Sequence, residues 1–155
     1  MDKEDAWDEV IDRLEAIDDI QKVYEGYVDP NSIPHSHYPC IIAEPKESNI
    51  DEDFIDYEVA SCSNEIFWID LFILFKLYQK GKQVTGTASI KGMLDLEEDV
   101  REALCAAPIK LGGLVVRVLF GNTYYGRSSP ELPKQQQLRS IQIELGLRMI
   151  ISTKV

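Results

Sequence analysis

The residues of this chain best suited to chemistry are His35, Ser36 and His37, with Cys40 three positions further on. Alternate residues of an extended segment face the same way, so the two imidazoles, with the thiol three positions on, could be imagined as a partial metal site. A zinc or similar site needs further ligands, and here Cys62 or an acidic residue from elsewhere has to supply them. The simpler reading is two histidines in a turn. A second cluster, Glu97, Glu98, Asp99 and Glu102, groups carboxylates as a general acid and base pair would require, but no histidine lies near them in sequence and a solvated helix face commonly carries such runs.

The sequence has no Gly-x-Ser-x-Gly nucleophile turn, no phosphate loop and no Gly-x-Gly-x-x-Gly following a strand. No catalytic residue, cofactor-binding residue or metal ligand is therefore assigned, and the expectation is a protein that is not an enzyme and uses no cofactor. Two groups of side chains suit contact instead. Tyr124 and Tyr125 beside Arg127 could stack on nucleotide bases, but without a surrounding basic field a surface that touches protein is the better reading. Trp68, Phe72 and Leu74 lie on the second face of a strand whose first face is already apolar. They either sit under a helix in a two-sided core or form part of a subunit interface.

These candidates must be positioned by the elements around them. Trp7, Val10, Ile11, Leu14 and Ile17 recur at helical spacing among acidic residues and predict an amphipathic helix over 5–20. Residues 24–38 carry Gly26, Asp29-Pro30-Asn31 and Ile33-Pro34, which is turn chemistry leading to a short strand over 39–43. Seven acidic residues between 44 and 64 predict a solvated loop, with room for a short strand over 57–60.

The strongest strand signal covers 66–78, where Phe67, Ile69, Leu71, Ile73, Phe75 and Leu77 share one face. At ~3.3 Å per residue it would run roughly 40 Å, which predicts a bulge or a projection beyond the subunit body. A second helix is expected over 89–106, with Leu96, Val100, Ala103 and Leu104 inward; Asp95 and Glu98 resemble a capping box that would start it later. Strands follow over 114–120 and 138–153, separated by a loop over 121–137. The expected fold is α+β: one domain over 1–155, a small mainly antiparallel sheet with two helices packed on one face.

Charge narrows the role. The 27 acidic against 16 basic residues give a formal −11, which opposes specific nucleic-acid binding because phosphate recognition relies on clustered Lys and Arg. Residues 1–65 hold 19 of the acidic groups and 4 of the basic ones, a net −15, so residues 66–155 carry +4. Such an imbalance lets the two parts attract each other within one subunit, or lets one copy's acidic surface meet a neighbour's basic one as a head-to-tail ring would use. Three dispersed cysteines, Cys40, Cys62 and Cys105, read as reduced thiols. The acidic opening residues lack the blocks of a secretory signal, and the apolar run over 66–77 is broken by Asp70 and Lys76 and too short to span a bilayer as a helix. The expectation is an intracellular chain with no membrane partner.

Taken together, the opening helix, Tyr38-Pro39-Cys40-Ile41-Ile42, the long strand over 66–78, the helix 94–104, the segment 111–118 from Leu111-Gly112-Gly113 onward and the closing strand 138–149 resemble the tail-terminator, or tail-completion, proteins of long-tailed bacteriophages. The resemblance implies a virion structural protein of the tail or neck, assembled in the host cytoplasm. It would form a homo-oligomeric ring, usually a hexamer, that caps the tail tube, ends its polymerisation and meets the head-tail connector protein. It carries over no catalytic residue. A head-closure or neck protein at the same junction, a small acidic inhibitor that mimics phosphates, and an enzyme using His35 or His37 with the acidic loop stay open as alternatives.

Overall fold

The computed structural model describes residues 2–50, 62–76, 84–86, 91–105, 115–126 and 138–152. In chain order these form helix α1 (Asp2–Glu15), strand β1 (Lys22–Glu25), two short 3-10 turns (Pro30–Ser32 and His35–His37), β2 (Cys40–Ile50), β3 (Cys62–Lys76), helix α2 (Met93–Cys105), β4 (Val115–Gly126) and β5 (Leu138–Ser152). The five strands make one sheet in the order β1-β2-β3-β5-β4, antiparallel except for the β1–β2 pair. The architecture is the α+β class expected, with both helices on one face.

That face is the core. Ala6, Val10 and Leu14 of α1 and Leu96, Val100 and Leu104 of α2 are essentially inaccessible, and they close over Ile69, Leu71 and Ile73 of β3 and Ile141, Ile143, Leu145 and Leu147 of β5. The three- and four-residue steps along each helix and the two-residue steps along each strand present these side chains to a common interior. Gly92 stands just before α2 because the backbone of residues 84–86 crosses it so closely that a Cβ there would lie 2.4 Å from the Gly86 nitrogen. Leu94 then donates its N–H to the Val84 carbonyl at 3.1 Å, tying the start of α2 to that crossing.

Several boundaries differ from the sequence expectation. The first helix ends at Glu15, and Ile17 and Ile20 pack on the core from the turn that follows it. Residues 22–25, which run into the stretch over 24–38 expected to be turn, form β1, parallel to β2. The acidic stretch expected to leave the sheet at residue 44 stays in β2 as far as Ile50, with a register shift between Pro45 and Glu47. Polar side chains there are compatible with a strand because they point to solvent while the backbone pairs with β3.

Over its described residues the long strand does not project. It is the centre of the sheet, paired with β5 from Cys62 to Lys76 and with β2 from Glu65 to Leu74. Residues 121–126, expected to open a loop, are strand: β4 continues to Gly126 through irregularities at Val115/Arg117 and Phe120/Thr123. Each irregularity adds a residue to one strand, so the apolar alternation slips and the period-two signal disappears although pairing resumes. The strand considered over 57–60 lies outside the described residues.

Candidate subunit interface

The outer face of the sheet carries no described helix, and cross-strand register sorts it into rows. Arg117 of β4, Arg148 of β5 and Ile66 of β3 form the first row, and Leu119, Gly146 and Trp68 the second. Glu144, Asp70 and Glu44 form the third, Tyr124, Gln142, Phe72 and Ile42 the fourth, and Gly126, Ser140, Leu74 and Cys40 the fifth. Residues in register share a face, so the rows describe a surface that runs from basic through aromatic and acidic to aromatic again.

Leu74 is only 7% exposed. It packs with Cys40, Ile42 and Ile33 beneath the segment that carries the two 3-10 turns, and Tyr24, Val28, Tyr38 and Phe72 border the cluster. The chain therefore covers this end of the outer face with its own residues rather than with a helix, and Leu74 is enclosed within the subunit. The covering segment is fastened by Tyr38, whose hydroxyl donates to the Pro30 carbonyl at 3.0 Å, and by the contact of the Tyr24 hydroxyl with His37 Nδ1. Burial pushes the Cys40 thiol up to about 12 and, first among its causes, the Tyr38 phenol up to about 12 as well.

A thiol held protonated is a poor metal ligand. His37 faces Tyr24, and among the described residues no three His, Cys, Asp or Glu side chains gather as a metal site. Among the α2 carboxylates, Glu97 accepts from Arg101 at 3.2 Å and from the Tyr125 hydroxyl, and Asp99 binds Lys91 at 2.6 Å, so these two serve as ties within the subunit.

Trp68 and Phe72 are half-buried. The Trp68 indole lies flat across the place where β5 has no side chain: a Cβ on Gly146 would sit 2.9 Å from Cζ3 and 3.0 Å from Cη2 of the ring. In the acidic row, Lys46 reaches over from the irregularity in β2 to bind Glu144 at 3.3 Å, and Asp70 lies close enough to raise the lysine's pKa further. One Asp70 oxygen is buried without a hydrogen-bond donor among the described residues.

Tyr124 is half exposed on the outer face and accepts from Asn122 Nδ2 at 3.0 Å. Tyr125 points to the other side of β4, where its hydroxyl donates to Glu97, while Arg101 donates to Thr123 and lies 4.6 Å over the Phe120 ring. The two neighbouring tyrosines, grouped by sequence, are thus separated by the sheet. Arg127 falls outside the described residues.

No protein-family model matches the chain, and no curated protein matches it. Among solved structures it is similar to a chain of one described as the virion of a native gene transfer agent particle, at 10% identity over 92% of each chain with a TM-score of 0.32. A likeness of that strength says nothing about role.

Sequence reasoning missed the charged rows altogether. Glu44, Asp70 and Glu144 look unrelated along the chain, and only Asp70 stood out, as a break in an apolar run. No helix of the described residues is long and apolar enough to cross a membrane.

Proposed function

We propose that this chain is a structural protein of a phage-type virion that does no chemistry of its own. It closes into a ring on the end of the tail tube, stops tube growth and meets the head-tail connector. The observation that carries the reading is the outer face, which no helix among the described residues covers and where the half-buried Trp68 and Phe72 and the exposed Tyr124 lie between charged rows. Aromatic side chains bordered by charge suit a protein contact better than a solvated sheet back. The resemblance of the sequence to tail-terminator proteins, and the −15 of residues 1–65 against the +4 of residues 66–155, favour the same role.

The physical logic is closure. A head-to-tail interface makes a ring when its rotation closes, and a ring whose far face lacks the tube's own docking surface ends polymerisation. A net negative ring also lets DNA pass without adhering to it. Particles assembled without the protein test the proposal: tails grow beyond their normal length if it is correct. Tails of normal length on heads that leak DNA would overturn it in favour of head closure.

A further inference from the structure

The rows of the outer face are arranged so that the surface complements itself. The basic row (Arg117, Arg148) and the acidic row (Glu144, Asp70, Glu44) are separated by four residues along β3, about 13 Å at the strand rise. The row of Trp68, Gly146 and Leu119 lies midway between them. With Lys46 included, the acidic row keeps a net negative charge.

We infer that the partner for this face is a second copy of the chain, packed sheet to sheet about a two-fold axis running along the Trp68–Gly146–Leu119 row. Such a rotation exchanges the first and third rows while leaving each strand at its own lateral position. Arg117 of one copy then arrives over Gly121 of the other. There the Glu144 carboxylate, already bound to Lys46 at 3.3 Å, lies beside the glycine: a Cβ on Gly121 would be 3.1 Å from the same oxygen, so the arginine would join an existing ion pair. Arg117 is exposed on β4, the last strand in the sheet order of the described residues.

Trp68 meets its own counterpart near the axis. The segment covering Leu74 and Cys40 lies at the opposite end of β3 from Ile66, so under this rotation the two covers lie at opposite ends of the pair rather than against each other. Sheets stacked face to face lie about 10 Å apart, a gap that an arginine and a glutamate fill from opposite sides. An isologous contact is satisfied by two copies and cannot grow. Resting on the ring reading above, this pair is the form that keeps free protein from closing into rings until a tube end displaces the second copy.

Mass measurement by light scattering and sedimentation, on the full chain without tube, tests the inference. The wild type is expected to run as two chains at low salt and to dissociate as salt screens the rim charges. Arg117→Glu and Glu144→Arg should each raise the dissociation constant by about tenfold or more, with circular dichroism confirming that both fold. Mixed in equal amounts, the two variants should recover a two-chain species, because both contacts across the axis become opposite in sign again. A monomeric wild type at every concentration and salt, or variants that fail to complement one another while folded, overturns the two-fold pair. Tube capping is read separately: a chain that dimerises as described yet never limits tube length refutes the ring reading and leaves the pair standing.

Discussion

Replacing Gly146 by alanine tests whether Trp68 is held flat on the sheet. The new Cβ would lie 2.9, 3.0 and 3.1 Å from three indole carbons, against an optimum of about 3.5–4.0 Å for carbon pairs. The ring has to lift by roughly 0.5–1 Å, which forfeits a quarter to a half of each contact's attraction. If lifting uncovers about 50 Å² of ring, the loss in burial is about 1.3 kcal/mol at ~25 cal/mol per Å². Against this, alanine restrains the unfolded chain more than glycine and favours the fold by about 0.5–1 kcal/mol.

The expected net effect is a destabilisation of about 0.5–1 kcal/mol with Trp68 present. In a Trp68→Ala background the three atoms nearest the new methyl group are gone, so the same Gly146→Ala change should stabilise by about 0.5–1 kcal/mol. The sign reversal, a coupling of about 1–2 kcal/mol, is read from urea denaturation of the four proteins in a double-mutant cycle. Fluorescence in a Trp7→Phe background should also shift to the red as the indole lifts into water. Equal effects of Gly146→Ala in both backgrounds would refute the account of why β5 carries a glycine there.

Arg101→Ala removes the tie to Glu97, the bond to Thr123 and the stack on Phe120, and should cost about 1–2 kcal/mol in urea denaturation; a loss below about 0.5 kcal/mol would show that β4 is not fastened to α2 through it. Stability should also fall with alkaline pH. The Cys40 thiol is pushed from 9.0 up to about 12 by burial, so between those values the unfolded chain has released a proton that the folded chain keeps, and the stability present below pH 9 is progressively lost. Cys40→Ala should flatten that decline in denaturation series from pH 8 to 11, leaving the smaller contribution of Tyr38, raised from 10.0 up to about 12. An unchanged slope would mean the thiol is not the group responsible.

The candidate contact surface was only partly legible in sequence. Trp68 and Phe72 stand out as apolar residues on the second face of an already apolar strand, and no helix among the described residues covers that face. Leu74 carries the same signal but is covered by the segment of residues 28–38. Turn-rich sequence indicates that such a segment bends and does not say where it lands. Tyr124 and Tyr125 look equivalent as neighbours, but the sheet turns one outward and ties the other to Glu97 on α2.

Local pattern alone determined the two helices, the inner face of β3 and the alternation of β5, because each shows a strong period over a dozen residues. Strands with weaker signals needed their partners. β1 has only four residues, the far half of β2 is polar because only its backbone is paired within the sheet, and β4 is crossed by two irregularities that scramble its alternation. The charged rows belong wholly to the tertiary structure. Asp70 meets Glu44 and Glu144 only because burial of the other face sets the register of three strands, and a shift of one residue would send those carboxylates into the core. Sequence supplies the side chains of such a surface, while long-range pairing decides which of them stand side by side.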